Sequence, residues 1–133
     1  ERGWDARFEG LVAGVAADFL SRHDPARERC WIADLAGEPV GAVLLARKTD
    51  SVARLRLLLV EPRARGRGIG RRLVGECIDF ARRAGYRRIA LWTDAGLHEA
   101  KRIYRKAGFR LVRREGSEDF GARLDGETWE LAL

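Results

Sequence analysis

The sequence predicts a single mixed α/β domain. Three observations support this prediction. The chain has 133 residues, a length that suits one domain with one hydrophobic core. The spacing of its apolar residues alternates along the chain between that of helices and the two-residue spacing of strands. The resulting order of elements is α-β-β-β-α-β-α-β-β, without internal repeats or linkers.

The first part of the chain predicts one helix followed by three strands. Apolar residues recur at helical spacing over 5–20, and Asp5 is a suitable N-cap. Strands are predicted at 30–35, 40–48 and 52–60, the first two joined by a turn. Alternation in the third strand predicts two faces: Leu55, Leu57 and Leu59 on one, and Arg54, Arg56, Leu58 and Val60 on the other.

The second part predicts two helices and three strands. A helix is expected from about Gly68 to Ala84, ended by Gly85, and another over 97–107, closed by Gly108. Strands are predicted at 87–93, 109–115 and 127–133. The connection 116–126 is long for a hairpin, so we expect a loop there with a functional role.

Composition narrows the class of protein and its partners. Apolar residues make up 46% and charged residues 35%, with a net charge of +6 that predicts an anionic partner: nucleic acid, acidic lipid or a small phosphorylated ligand. Cys30 and Cys77 lack the spacing of metal ligands, so we expect reduced thiols, no metal and a cytoplasmic location. No apolar run is long enough to span a membrane. The absence of methionine predicts that sequence precedes Glu1 in a longer protein.

A basic, glycine-rich segment lies where the third strand gives way to a helix. The segment reads VEPRARGRGIGRRL, with glycines at 66, 68 and 70 and arginines at 63, 65, 67, 71 and 72. Unpaired amides at a helix start attract anions, and glycines let an anion approach the backbone. The segment is neither a Walker loop nor a dinucleotide fingerprint. A phosphate-binding turn is therefore predicted, with a flexible basic connector as the alternative.

Two motifs resemble the GNAT superfamily of N-acetyltransferases. Arg65 to Gly70 (RGRGIG) is similar to the family's Arg/Gln-x-x-Gly-x-Gly/Ala signature, and AKRIYRKAGF at 100–109 is similar to its Ala-x-x-x-Tyr-x-Lys-x-Gly-Phe segment. The resemblance implies a mostly antiparallel central sheet flanked by helices, filling 1–133 as one domain and lacking the family's first strand. It also implies a bacterial acetyltransferase that uses acetyl-CoA as cosubstrate.

The resemblance extends to the GNAT domains that follow a MarR-type winged-helix regulator in bacterial fusion proteins. The segments that carry it are GWDARFEGLVAGVAADFL, ERCWIADLAGEPVGAVLLARK and RLRLLLVEP. It implies an upstream DNA-binding partner, a homodimer as one assembly, and no direct nucleic-acid or membrane binding by this domain. An alternative function follows, in which the domain senses acyl-CoA or an effector and regulates that module.

The family's cofactor-binding residues fall on ten positions of this chain. The resemblance implies that amides of the turn hold the CoA pyrophosphate and that the third strand offers its backbone to the pantetheine arm. The ten positions are Leu58, Leu59, Val60, Arg65, Gly66, Arg67, Gly68, Ile69, Gly70 and Arg71.

Tyr104 falls where the family has its general acid, which would protonate the leaving thiolate. The alternative is a core tyrosine, because its neighbours form one apolar helical face. The implied reaction is direct attack by an amine in a ternary complex, without an acyl-enzyme.

The acceptor side departs from the family pattern. Arg54 and Arg56 stand where several members carry a Glu or His base, and a guanidinium cannot accept a proton. Both are expected to clamp a carboxylate of a small amine substrate, or else to form ion pairs with acidic residues at 38, 50 or 130. Trp92 is a candidate wall of the acceptor pocket, with core packing as the alternative.

Overall fold

A computed structural model describes residues 6–119 and 122–133. These residues form three α-helices, six strands and one short 3-10 turn, in the predicted order. The helices are α1 (Ala6–Leu20), α2 (Ile69–Arg83) and α3 (His98–Ala107), and the 3-10 turn is Pro62–Ala64. The strands are β1 (Arg29–Leu35), β2 (Glu38–Arg47), β3 (Val52–Val60), β4 (Arg88–Asp94), β5 (Arg110–Asp119) and β6 (Ala122–Ala132).

The six strands form one sheet in the order β1-β2-β3-β4-β6-β5. Only β3 and β4 run parallel, and every other neighbouring pair is antiparallel. Helix α1 lies against one face, where Leu44 of β2 lines a cavity together with residues of α1. Helices α2 and α3 cover the opposite face, where Val43 of β2 packs into the core. The predicted mixed α/β fold with a mostly antiparallel sheet is confirmed.

The hydrophobic core lies between this second face and α2. Apolar residues of α2 recur every three or four positions, so one stripe of the helix faces the sheet. Val74, Cys77 and Ala81 of that stripe are fully buried against Leu45 and Ile89 of the strands. This packing holds the start of α2, and the turn before it, at a fixed place beside β3.

Strand β3 carries a bulge that reverses the predicted faces. Ala42 pairs with Leu59 and Leu44 with Arg56, so two β3 residues lie opposite Val43. Leu57 takes the left-handed conformation with a φ of 57° and is 42% exposed. The prediction that it shares a face with Leu55 is wrong, because the extra residue shifts the alternation by one.

The parallel pairing of β3 and β4 is short. It ends at the pair of Arg54 with Ala90, so the remainder of β3 and the end of β4 separate into an opening. Leu91 to Asp94 of β4 remain paired with β6 on their other side. The opening therefore lies in the middle of the sheet, between two strands that are each held from outside.

The predicted loop at 116–126 is wrong for its described part. Strands β5 and β6 continue as an antiparallel hairpin, with Glu115 paired to Gly126 and Asp119 to Ala122. The sequence predicts a loop because residues 116–125 are mostly polar or glycine and show no clear apolar alternation. Residues 120 and 121 lie outside the described residues.

Candidate cofactor groove and acceptor face

The turn between β3 and α2 presents unpaired backbone amides. The chain passes through the 3-10 turn, and Gly66 and Gly68 then adopt φ values of 81° and 76° that residues with a Cβ avoid. Gly68 is the N-cap of α2, and Arg72 makes the first helical hydrogen bond, to the Gly68 carbonyl at 3.0 Å. Among the described residues, the amides of 66–71 have no acceptor. Such a turn favours an anion.

Gly70 lets the start of α2 approach α3. A Cβ at this buried position would lie 2.7 Å from Cδ1 of Ile103 and 3.6 Å from Cγ2 of Val60. The glycine thus brings the turn, the end of β3 and α3 together around one space.

That space is a groove of about 840 Å³. Nine of the ten positions predicted to bind cofactor line it: Leu58, Leu59, Val60, Arg65, Gly66, Gly68, Ile69, Gly70 and Arg71. Arg67 is exposed and does not line it. The remaining wall comes mainly from α3 and the segment before it, including Leu97, His98 and Ala100.

Four cations line the groove, two from each side. Arg65 and Arg71 belong to the turn and the start of α2, whereas Arg102 and Lys106 face them from α3. None of the four has an ion-pair partner within 6–119 and 122–133. Sequence reasoning missed Arg102 and Lys106, although their spacing of four places them on one helical face.

Not every arginine of the basic segment is available to a ligand. Arg63 donates to Glu61 and to Glu38, each at 3.1 Å, and so ties the 3-10 turn to β2. Arg72 is exposed and does not line the groove. The count of arginines in the sequence therefore overstates the charge at the site.

Helix α3 is held from below by a buried carboxylate. Glu127 of β6 is 1% exposed, accepts a hydrogen bond from Trp129 Nε1 at 3.1 Å, and lies 3.5 Å from Lys101 Nζ and 3.2 Å from Arg114 Nε. Burial acts to raise the pKa of this carboxyl, but the hydrogen bond and the two cations outweigh it and the pKa is lowered. The Arg105 guanidinium also lies 5.5 Å from the centre of the Trp129 ring.

Tyr104 lies on the inner side of α3 and is 5% exposed. The left-handed Gly108 ends the helix and returns the chain, so the Phe109 ring lies 5.8 Å from the Tyr104 ring. The Tyr104 hydroxyl has no hydrogen-bond partner among the described residues. Burial, with a smaller effect of Cys77, raises the pKa of the phenol to about 12. Tyr104 packs behind Ala100 and Ile103 rather than directly lining the groove.

The predicted acceptor residues lie on the α1 face of the sheet. Arg54 pairs with Ala90, and Arg56 and Trp92 lie two residues further along their strands, on either side of the opening. Arg56 lines a cavity of about 650 Å³ beneath α1, but Arg54 and Trp92 do not. Trp92 is 61% exposed, so the alternative of core packing is wrong.

The expected ion pairs of the two arginines do not form. Asp50 pairs with Arg47 at 3.1 Å and Glu38 pairs with Arg63, and in the described part of the chain neither Arg54 nor Arg56 has an acidic partner. Both guanidinium groups are thus available to an anion.

The two thiols are apart from the groove lining. Cys77 is fully buried in α2, and Cys30 is only half-buried. Burial raises the pKa of both thiols, with Cys30 and Glu76 adding to the effect at Cys77. Within the described residues, no cluster of three acidic, His or Cys side chains could hold a metal ion, and no helix is long and apolar enough to cross a membrane.

Comparison with solved structures shows the same fold. A putative acetyltransferase, yncA from Salmonella typhimurium, solved with acetyl-CoA, superposes with a TM-score of 0.78 at 22% identity, over 91% of this chain and 73% of that one. IAA acetyltransferase from Bacillus cereus superposes with a TM-score of 0.71 at 18% identity, over 92% and 95% of the two chains.

Comparison of sequences identifies relatives with named activities. N-acetylaspartate synthetase from Danio rerio is 36% identical over 109 residues, which cover 81% of this chain and 38% of the relative. IAA acetyltransferase from Azospirillum brasilense is 39% identical over 84 residues, which cover 61% of this chain and 54% of the relative. The chain spans about a third to a half of the curated relatives it matches.

A sequence model described as the acetyltransferase (GNAT) family matches residues 4–109. The matched range contains the glycine turn, the groove-facing side of α3 and the Tyr104 segment. The resemblance read from the two motifs is thereby confirmed at the level of the family, whereas the likeness to fusions with a MarR-type regulator stays a prediction. The chain belongs to the acetyltransferase (GNAT) family.

Proposed function

We propose that this domain transfers the acetyl group of acetyl-CoA to the amine of a small, carboxylate-bearing molecule. The single observation that carries the proposal is the amide turn of 66–71, which opens into a groove lined by four cations; within the described ranges neither the amides nor the cations have a partner. Family membership supplies the reaction class, and named relatives include an N-acetylaspartate synthetase.

The groove suits the phosphate-rich end of coenzyme A. Its turn offers amides in the geometry that binds a pyrophosphate, and Arg65, Arg71, Arg102 and Lys106 add positive charge from both walls. Leu58 to Val60 lack a β4 partner beyond the opening, so their backbone is available to an extended arm. Acetyl-CoA supplies the activated acetyl group when it is bound.

The acceptor is proposed to approach from the α1 face. Arg56 lines the cavity beneath α1 and has no acidic partner among the described residues, which makes it a candidate contact for a substrate carboxylate. Approach from opposite faces brings the amine to the thioester carbonyl at the opening in the sheet.

Tyr104 is the candidate proton donor. As the uncharged amine nitrogen forms its bond to the acetyl carbon, the carbon–sulfur bond breaks. The nitrogen releases a proton to solvent, the sulfur takes one from the Tyr104 phenol, and solvent returns a proton to the phenolate. The phenol keeps its proton at neutral pH because burial raises its pKa to about 12. Its inward position, without a hydrogen-bond partner in the described chain, leaves the hydroxyl free for this role.

Calorimetry and turnover together test the proposal. We expect coenzyme A to bind with measurable heat, and a panel of amino acids and simple amines to include at least one acetylated compound. Absence of binding heat would contradict the groove as a cofactor site. Tight coenzyme binding without acetylation of any amine would contradict the enzymatic function and favour a sensing role.

A further inference from the structure

Trp92 is an exposed aromatic side chain at the edge of the opening. The indole is 61% exposed, the largest exposed fraction among the large apolar side chains of the described chain. Its position beside the proposed reaction site makes the indole available as a contact for a ligand with an aromatic group.

Gly126 determines how the indole lies. Trp92 pairs with Thr128 of β6, and Gly126 is the next residue of β6 on the same face. A Cβ at position 126 would lie 2.5 Å from Nε1 and 2.6 Å from Cε2 of Trp92. Gly126 is itself buried although the ring above it is not. The ring thus lies on the bare backbone of β6 and leaves its opposite surface open.

Arg56 lies on the other side of the opening from Trp92. The last parallel pair is Arg54 with Ala90, so Arg56 and Trp92, each two residues further on, occupy the same level and the same face. One side of the opening therefore offers a guanidinium without an acidic partner among the described residues, and the other offers a flat aromatic surface.

From this arrangement we infer that the acceptor is an amino acid with an aromatic side chain, whose ring stacks on Trp92. The carboxylate pairs with Arg56 while the amine lies over the opening. Gly126 is a positioning residue, because only a residue without a Cβ lets the indole lie flat. The inference rests on the proposed acetyl transfer and specifies its substrate class.

Selectivity is the first test. With saturating acetyl-CoA, kcat/KM for L-phenylalanine is expected to exceed that for L-alanine about tenfold, the size of one stacking interaction. Trp92→Ala should abolish the preference, and Trp92→Phe should restore part of it. Equal kcat/KM for the two amino acids in the unmodified domain would overturn the inference.

A double-variant cycle tests Gly126. Gly126→Ala should lower selectivity for phenylalanine, but should have no further effect in a Trp92→Ala background, because there is then no ring to displace. Gly75→Ala, in α2 with nothing within 4 Å of the added Cβ, is the matched control and should leave selectivity unchanged. Equal losses from Gly126→Ala with and without the indole would contradict its positioning role.

A binding measurement separates this inference from the proposed function. The chain has four tryptophans, so the Trp92 signal is the fluorescence difference between the unmodified domain and Trp92→Phe. Phenylalanine, added with coenzyme A, should change this signal. If phenylalanine changes the Trp92 signal but no amine is acetylated, stacking on Trp92 is supported and the proposed enzymatic function is contradicted. If amines are acetylated without any such change, the inference fails and the function stands.

Discussion

The two faces of the sheet opening are built by different means. On the α2 and α3 face, backbone amides and left-handed glycines form the groove, and cations only surround it. On the α1 face, Arg56 and Trp92 project from strands that have separated. The first face is specified by a continuous segment of chain, whereas the second depends on two segments about 35 residues apart being brought level.

The two faces therefore recognise their proposed ligands by different physical means. A backbone turn recognises a phosphate through groups that every residue carries, so its requirement is a conformation. Side chains on two strands recognise an acceptor through their identity, so a single substitution can change the substrate. Variants on either face should therefore separate cofactor binding from acceptor binding.

The largest expected effect belongs to Tyr104, which packs on the inner side of α3 behind the groove lining. Tyr104→Phe removes the proposed proton donor and should lower kcat about 100-fold or more, with little change in acetyl-CoA affinity. Steady-state kinetics and calorimetry provide the measurement.

Tyr86→Phe is the matched control for this change. It removes the other tyrosine hydroxyl of the chain, which donates to the Arg27 carbonyl at 2.7 Å. We expect a loss of stability of about 1 kcal/mol and an unchanged kcat. A Tyr104→Phe domain with normal turnover would remove Tyr104 from the mechanism.

Gly68→Ala tests whether coenzyme binding in the groove requires the left-handed backbone conformation of the turn. The φ of 76° strains any residue with a Cβ by about 1–2 kcal/mol, so the turn should shift and acetyl-CoA affinity should fall about tenfold. The measurement is calorimetric titration with coenzyme A. Gly37→Ala, at a φ of 84° in the β1–β2 turn, carries the same strain and should leave affinity unchanged.

Glu127→Gln tests the contact that holds α3, one wall of the groove, against β6. Because the folded pKa is lowered, the carboxylate stabilises the fold above its ordinary pKa, and this contribution is lost as pH falls through the folded value. The variant should lose about 2 kcal/mol of unfolding free energy at neutral pH, and the difference should narrow in acid. Denaturant unfolding at several pH values measures it.

Glu115→Gln is the control for that series. The Arg113–Glu115 pair is 3.7 Å apart and mostly exposed, so its loss should cost less than about 0.5 kcal/mol at any pH. Equal losses from the two variants would show that Glu127 is no more than a surface charge in energetic terms.

Crossed arginine variants give the smallest effects and the most direct comparison of the two faces. Arg56→Gln should raise KM for a carboxylate-bearing acceptor about fivefold and leave that for acetyl-CoA unchanged. Arg102→Gln should do the reverse by a similar factor. Steady-state kinetics with each substrate varied in turn provides the measurement. Equal effects of both variants on both KM values would contradict separate binding of cofactor and acceptor on the two faces.

Local pattern predicted most of the fold. Helical spacing in α2 and the glycines at 66, 68, 85 and 108 fixed element types and ends, because these depend on nearby residues. Alternation failed after Arg56, where the bulge at Leu57 is imposed by pairing with β2. It also failed for the β5–β6 hairpin, which lies at one edge of the sheet.

Local pattern likewise predicted the part of the site that is itself local. The glycine turn could be read as a phosphate site, because unpaired amides follow from the position of glycines before a helix. Arg102 and Lys106 were missed, since only the packing of α3 against α2 turns them toward the turn. The pairing of Arg63 with two carboxylates is likewise a tertiary contact.

The sequence by itself determined the family, the order of elements and the conformation of the glycine turn, all of which rest on residues close together in the chain. Only the tertiary structure decided where β3 and β4 separate, which residues stand on either side, and that Gly126 lies beneath Trp92. The reason is that sheet register joins distant segments, and no short-range preference specifies which side chains come to face each other.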